Sequence, residues 1–89
     1  MKVSENYILR NIADEYMLIP VGEAALKTKG LIRLSESGYF LYKMLKDGRD
    51  ISELPELLGN EYGVSDRDML TNDVNAFLAQ MKSAGILED

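Results

Sequence analysis

Eighty-nine residues, 46% of them hydrophobic, suffice for one small core and not for a second. Fifteen acids against ten bases give a net charge of −5, which repels phosphate backbones unless one face segregates the cations. With no cysteine and no histidine, the chain lacks disulfides, thiolate nucleophiles, the commonest general base and the commonest neutral metal ligand.

No stretch approaches the roughly 20 apolar residues of a membrane span. The segment MKVSENYILRN lacks the apolar core and small-residue cleavage site of a signal peptide, so a cytoplasmic protein is expected.

YILRNI, residues 7–12, is mostly β-branched or aromatic, and Ala13-Asp14-Glu15 is a polar break before YMLIPV at 16–21. That predicts a hairpin, with Pro20 near a strand end, where a missing N–H is tolerated. EAALKTK has little pattern. After Gly30 comes a short third strand, 31–34, with Ile32 and Leu34 on one face and Leu31 and Arg33 on the other.

From Ser35 the period turns helical. A first helix over 37–46 ends at Asp47-Gly48, where glycine suits a left-handed stop. A second spans 53–62; Asp50 or Ser52 can cap it, Pro55 fits only its first turn, which favours Ser52, and Gly63 closes it. A third spans 66–84, with Ser65-x-x-Asp68 resembling a capping box, Leu70, Val74, Phe77, Leu78 and Met81 as its apolar stripe, and Gly85 as its stop. The expected fold class is α+β: one domain over 1–89, with three short antiparallel strands followed by three helices. Such an arrangement can form a winged helix-turn-helix.

Chemistry is sparse. Asp66 and Asp68 sit in a helix first turn, where acids complement the dipole, so capping is favoured over metal ligation. The glycines form neither GxGxxG nor a GxxxxGK[ST] loop and read as punctuation. Tyr39, Phe40 and Tyr42 lie at core-like helical spacing. No catalytic group has a visible orienting partner, so a non-catalytic binding module is expected, without metal or cofactor.

One feature stands against the acidic background. From Ala24 to Leu34 there are Lys27, Lys29 and Arg33 and no acid. Two readings stand: contact with an acidic peptide, or protection of an exposed sheet edge by charge. A winged-helix DNA-binding or transcription-associated domain is the alternative class. Against it, the exposed residues of the third helix, Asp66, Asp68, Asp73, Asn75, Gln80 and Lys82, are net negative.

LIRLSESGYFLYKMLKDG resembles a segment of the coenzyme pyrroloquinoline quinone synthesis protein D (PqqD-like) family: a short strand ending in Leu, a polar pair, a small residue with Gly, an aromatic-rich helix and Asp-Gly. EYGVSDRDMLTNDVNAFLAQMKSAGIL is similar to that family's ending, with a Tyr-x-Val exit, an Asp-Val pair, Phe-Leu and a Gly-Ile-Leu stop. The resemblance covers nearly the whole chain. Ser37 stands where the family often has Thr, and Tyr39 where it has a small residue.

The resemblance implies a peptide chaperone, the recognition element for ribosomally made, post-translationally modified (RiPP) natural products. Such a protein binds the leader of a precursor peptide and presents the core to a modifying enzyme, commonly a radical S-adenosylmethionine (radical SAM) maturase. The leader adds a strand to the third strand and lies in the groove between it and the third helix. Carried onto this sequence, the strand edge is Leu31, Ile32, Arg33 and Leu34, with Lys27 and Lys29 leading into it. The margin of the third helix expected to face the leader carries Arg67, Thr71, Val74, Asn75, Leu78 and Lys82, with Asp66 and Asp73 on the opposite margin. The alternative for Val74 and Leu78 is that they are simply core. The sequence leaves open whether the chain is a monomer or pairs through the third strand.

Overall fold

In the computed structural model, which describes residues 2–27 and 30–88, the β-branched and aromatic runs pair as expected of them. A two-residue strand β1 (Lys2–Val3) comes first, then β2 (Tyr7–Ile12) and β3 (Glu15–Pro20) as an antiparallel hairpin. The turn is Ala13-Asp14, both at positive φ, 53° and 66°, which is the hand that matches strand twist. β3 therefore begins at Glu15, one residue before the expected start.

EAALK, which had little pattern as sequence, forms a one-turn helix α1 (Glu23–Lys27) without a buried residue. β4 (Ile32–Leu34) completes a three-stranded antiparallel sheet in the order β2-β3-β4. Leu31 lies just outside β4 and is exposed.

The helical layer is α2 (Glu36–Lys46), a 3₁₀ turn (Ile51–Glu53), α3 (Leu54–Tyr62) and α4 (Arg67–Ser83). The caps differ from the expected ones by one or two residues. Ser35 caps α2, which starts one residue before the expected 37, and accepts from the Gly38 N–H at 3.1 Å. Asp50 rather than Ser52 opens the 3₁₀ turn, accepting from the Ser52 N–H at 3.0 Å while Glu53 accepts from the Asp50 N–H at 3.0 Å. Asp66 rather than Ser65 caps α4, accepting from the Met69 N–H at 3.1 Å. In each case a side-chain oxygen two or three residues upstream reaches an otherwise orphan helical N–H, and neighbouring Ser and Asp residues compete for that place.

After α4, Gly85 turns at φ 77° and β5 (Leu87–Glu88) pairs antiparallel with β1, making a separate two-stranded sheet unforeseen in the sequence. The Ser4 N–H donates to the Ile86 carbonyl at 2.7 Å, and the Tyr7 hydroxyl to the Ala84 carbonyl at 3.0 Å, tying the two ends of the chain together.

The core joins one face of the sheet (Tyr7, Leu18, Leu34) to Leu41 and Tyr42 of α2, Leu54 and Leu58 of α3, Leu70, Val74, Phe77 and Met81 of α4, and Ile86 and Leu87. Gly59 sits where α3 meets the approach to α4: a Cβ there would come within 2.7 Å of the Val64 carbonyl oxygen and 2.8 Å of Leu70 Cδ1. Gly59 is thus a close-contact residue, not the punctuation it resembles in sequence.

Candidate functional site

β4 is the outer strand of the sheet, and the ladder's phase says which of its backbone groups face outward. A two-residue hairpin turn is closed by a hydrogen-bonded pair, here Ile12 and Glu15. The alternation then runs through Arg10–Met17 and Ile8–Ile19, and the Val21 N–H donating to the Asn6 carbonyl at 2.8 Å keeps the same phase. Tyr16 and Leu18 therefore turn their backbone groups toward β4, where their partners are Leu34 and Ile32. Arg33, opposite Met17, is left with its N–H and C=O directed away from the sheet.

Beside this edge runs a groove of about 320 Å³ between β4, the start of α2 and α4. Its apolar walls are Leu34, Leu41, Leu58 and Phe77. Gly38 lines it too: a Cβ there would meet Ser35 Oγ at 3.2 Å and Leu34 Cβ at 3.8 Å, so its absence lets α2 start against the end of β4. The rim carries Arg33 on the strand and Asp73, Ala76 and Gln80 on α4.

The helix margin singled out in sequence is not the one that lines this groove. The stripe Leu70, Val74, Phe77 and Met81 is buried, and the groove lies along the Asp73–Ala76–Gln80 shoulder, not along that of Arg67, Thr71, Asn75, Leu78 and Lys82. Val74, 2% exposed, belongs to the core, and Leu78 packs half-buried against it. Arg67 lines a different recess, with Ser52, Pro55 and Asn60. An amphipathic stripe tells which face of a helix is inward but not which shoulder meets a given strand.

Among the described residues, Lys27 and Arg33 do not share a recess. Lys27 lines a recess with Glu23, Asn6 and Glu88, apart from the groove, and Lys29 lies outside the described residues. Arg33 meets Glu15 at 3.6 Å with both side chains largely in water, a pair of small energetic weight. Ile32 faces inward, half-buried against the core, while Leu31 stays exposed beside the edge. Of the strand residues singled out in sequence, Arg33 and Leu34 line the groove. Asp73, Ala76, Phe77 and Gln80, which line the groove, were not singled out in sequence as peptide-facing; their i, i+3, i+4, i+7 spacing was the available signal.

An open strand edge flanking a groove with apolar walls and a polar rim, on a three-stranded antiparallel sheet backed by helices, defines a small α+β domain. The chain belongs to the coenzyme PQQ synthesis protein D (PqqD) family, whose sequence profile matches residues 15–87. Among solved structures it is similar to TbiB1 in complex with the TbiA(beta) leader peptide, at 27% sequence identity and a TM-score of 0.80, covering 99% of this chain and 95% of that one. Comparison with curated proteins returns no match.

Proposed function

We propose that this protein is a non-catalytic leader-peptide recognition domain acting in the cytoplasm. It binds the leader of a ribosomally made precursor by strand addition at β4 and presents the rest of the precursor to a modifying enzyme, a radical S-adenosylmethionine maturase being the class implied by the resemblance. The observation that carries this reading is the coincidence of an outward-facing Arg33 backbone with a groove walled by Leu34, Leu41, Leu58 and Phe77. A solved complex of a similar chain with a leader peptide supports it.

A strand laid along β4 sits about 4.8 Å from it and drops alternate side chains toward the groove. Apolar walls select an apolar anchor there. The rim carries Asp73 as well as Arg33, whose guanidinium already meets Glu15, so it does not favour a uniformly acidic leader. The Arg33 backbone, with Leu34 and the exposed Leu31 beside it, defines the edge in this reading, and Ile32 turns its backbone to β3; Lys27, Arg67, Thr71, Asn75 and Lys82 are left to the surface and Val74 to the core.

The test is a titration of the isotope-labelled protein with synthetic leaders of the short peptides encoded beside its gene, followed by amide shifts. Saturable shifts at Arg33, Gly38 and the Asp73–Gln80 turn are expected. Binding by none of these leaders, or shifts elsewhere alone, would sink the proposal.

A further inference from the structure

The sheet has a second open edge. β2 is its other outer strand, and the same ladder phase directs the backbone groups of Leu9 and Asn11 away from β3. The edge is guarded: the Arg10 guanidinium donates to the Leu9 carbonyl at 3.1 Å. Between this edge and the C-terminal half of α2 lies a cleft of about 380 Å³, with Ile8 and Leu9 on the strand side and Tyr42 on the helix side.

Charge distinguishes this cleft. A protein of net −5 lines it with Arg10, Lys43 and Lys46 against the single acid Asp47. Tyr42 closes the helix side of the cleft at 2% exposure, and its buried hydroxyl has no hydrogen-bond partner among the described residues, a cost the free protein bears.

We propose that the β2 edge and its cleft with α2 form a second docking site, for an extended, carboxylate-bearing segment of another protein. The segment pairs with the Leu9 and Asn11 backbone, displaces Arg10 from the Leu9 carbonyl, and places its carboxylates between Arg10 and Lys46, beside Lys43, whose ammonium lies over the Tyr39 ring. A second copy of this chain is the wrong occupant, because a two-fold β2–β2 pairing sets Arg10 and the lysines against their own equivalents. The proposal does not depend on what binds at β4, and the two edges lie on opposite sides of the sheet.

The probe is an acetylated, amidated octapeptide of alternating Val and Glu, with a Val–Lys octapeptide as its counterpart, titrated into the isotope-labelled protein. Saturable amide shifts are expected along Ile8–Asn11 and Tyr42–Asp47 for the Glu peptide and not for the Lys peptide. Reversing Arg10→Glu and Lys46→Glu together, both exposed positions, should weaken the Glu peptide at least about tenfold with amide dispersion unchanged. The proposal falls if the Glu peptide gives no saturable shift at millimolar concentration, if both peptides shift the β2 edge equally, or if shifts are confined to Arg33 and α4. Broadening of the β2 amides with protein concentration alone would make the occupant a second copy and overturn it too.

Discussion

Tyr16 on β3 and Tyr39 on α2 stack face to face, ring centroids 3.8 Å apart and planes 4° from parallel, and the Lys43 ammonium lies 4.4 Å from the Tyr39 ring centre. Nearly eclipsed rings are the less favoured aromatic geometry, and a cation over one of them draws density from it and eases the repulsion. The stack fastens the hairpin to α2. A double-mutant cycle with Tyr16→Leu and Tyr39→Leu, read by urea unfolding, should give a coupling of about 0.5–1.5 kcal/mol. Additive single effects would mean that the rings are only neighbours.

Gly59 carries a packing role that a helix-interior glycine would otherwise argue against. On propensity alone, Gly59→Ala should stabilise α3 by about 1 kcal/mol. The added Cβ would instead face backbone at 2.7 Å, which side-chain motion does not relieve. Overpacking should win, with a net loss of about 1–3 kcal/mol measured by thermal or urea melts.

That case shows where sequence reading reached and where it stopped. The hairpin, β4 and the three longer helices were legible because alternation and the 3.6-residue period are local signals. β1 and β5 were not, since each is two residues long and acquires meaning only by meeting the other end of the chain. The strand edge was legible from Ile32, Arg33 and Leu34. Which shoulder of α4 lines the groove was not: Asp73 and Leu78 flank one stripe symmetrically, and only the packing of the helix decides between them. An acid at the rim also misdirects a reader who expects a basic site.

The two shoulders of α4 can be separated by bulk. Ala76 is exposed and lines the groove, whereas Thr71 is exposed on the other shoulder. Ala76→Trp should fill the groove and weaken leader binding at least about tenfold, with the melting temperature within a few degrees of the parent. Thr71→Trp should leave binding within about twofold. A reversed pattern in paired titrations would restore the Leu78 shoulder as the binding face.

Tyr42 makes stability depend on alkaline pH. Burial raises its pKa above the ordinary tyrosine value of 10.0. Above about pH 10 the unfolded chain releases this proton and the folded protein holds it, so the contribution is complete below that pH and is lost as pH rises through the folded pKa. Tyr42→Phe removes both the titration and the unpartnered hydroxyl. Its melting temperature should match or exceed that of the parent at pH 7 and decline less steeply above about pH 10. Parallel declines would show that Tyr42 titrates as an exposed tyrosine does.

The strand-addition mechanism itself rests on one backbone pair. Arg33 turns its N–H and C=O outward, while Ile32 and Leu34 turn theirs to Leu18 and Tyr16 of β3. Replacing a single amide by an ester in a semisynthetic protein removes one N–H donor and keeps every side chain. The ester at Arg33 should weaken leader binding by about 1 kcal/mol or more and barely move the melting temperature, since that donor has no partner strand in the free protein. Esters at Ile32 or Leu34 should lower the melting temperature and leave the affinity of the folded protein nearly unchanged. Arg33→Ala is the side-chain control: its bridge to Glu15 is exposed at 3.6 Å, so its removal should cost little stability. If the Arg33 ester binds the leader as the parent does while remaining folded, the leader does not extend the sheet and must be held by the groove's side chains alone.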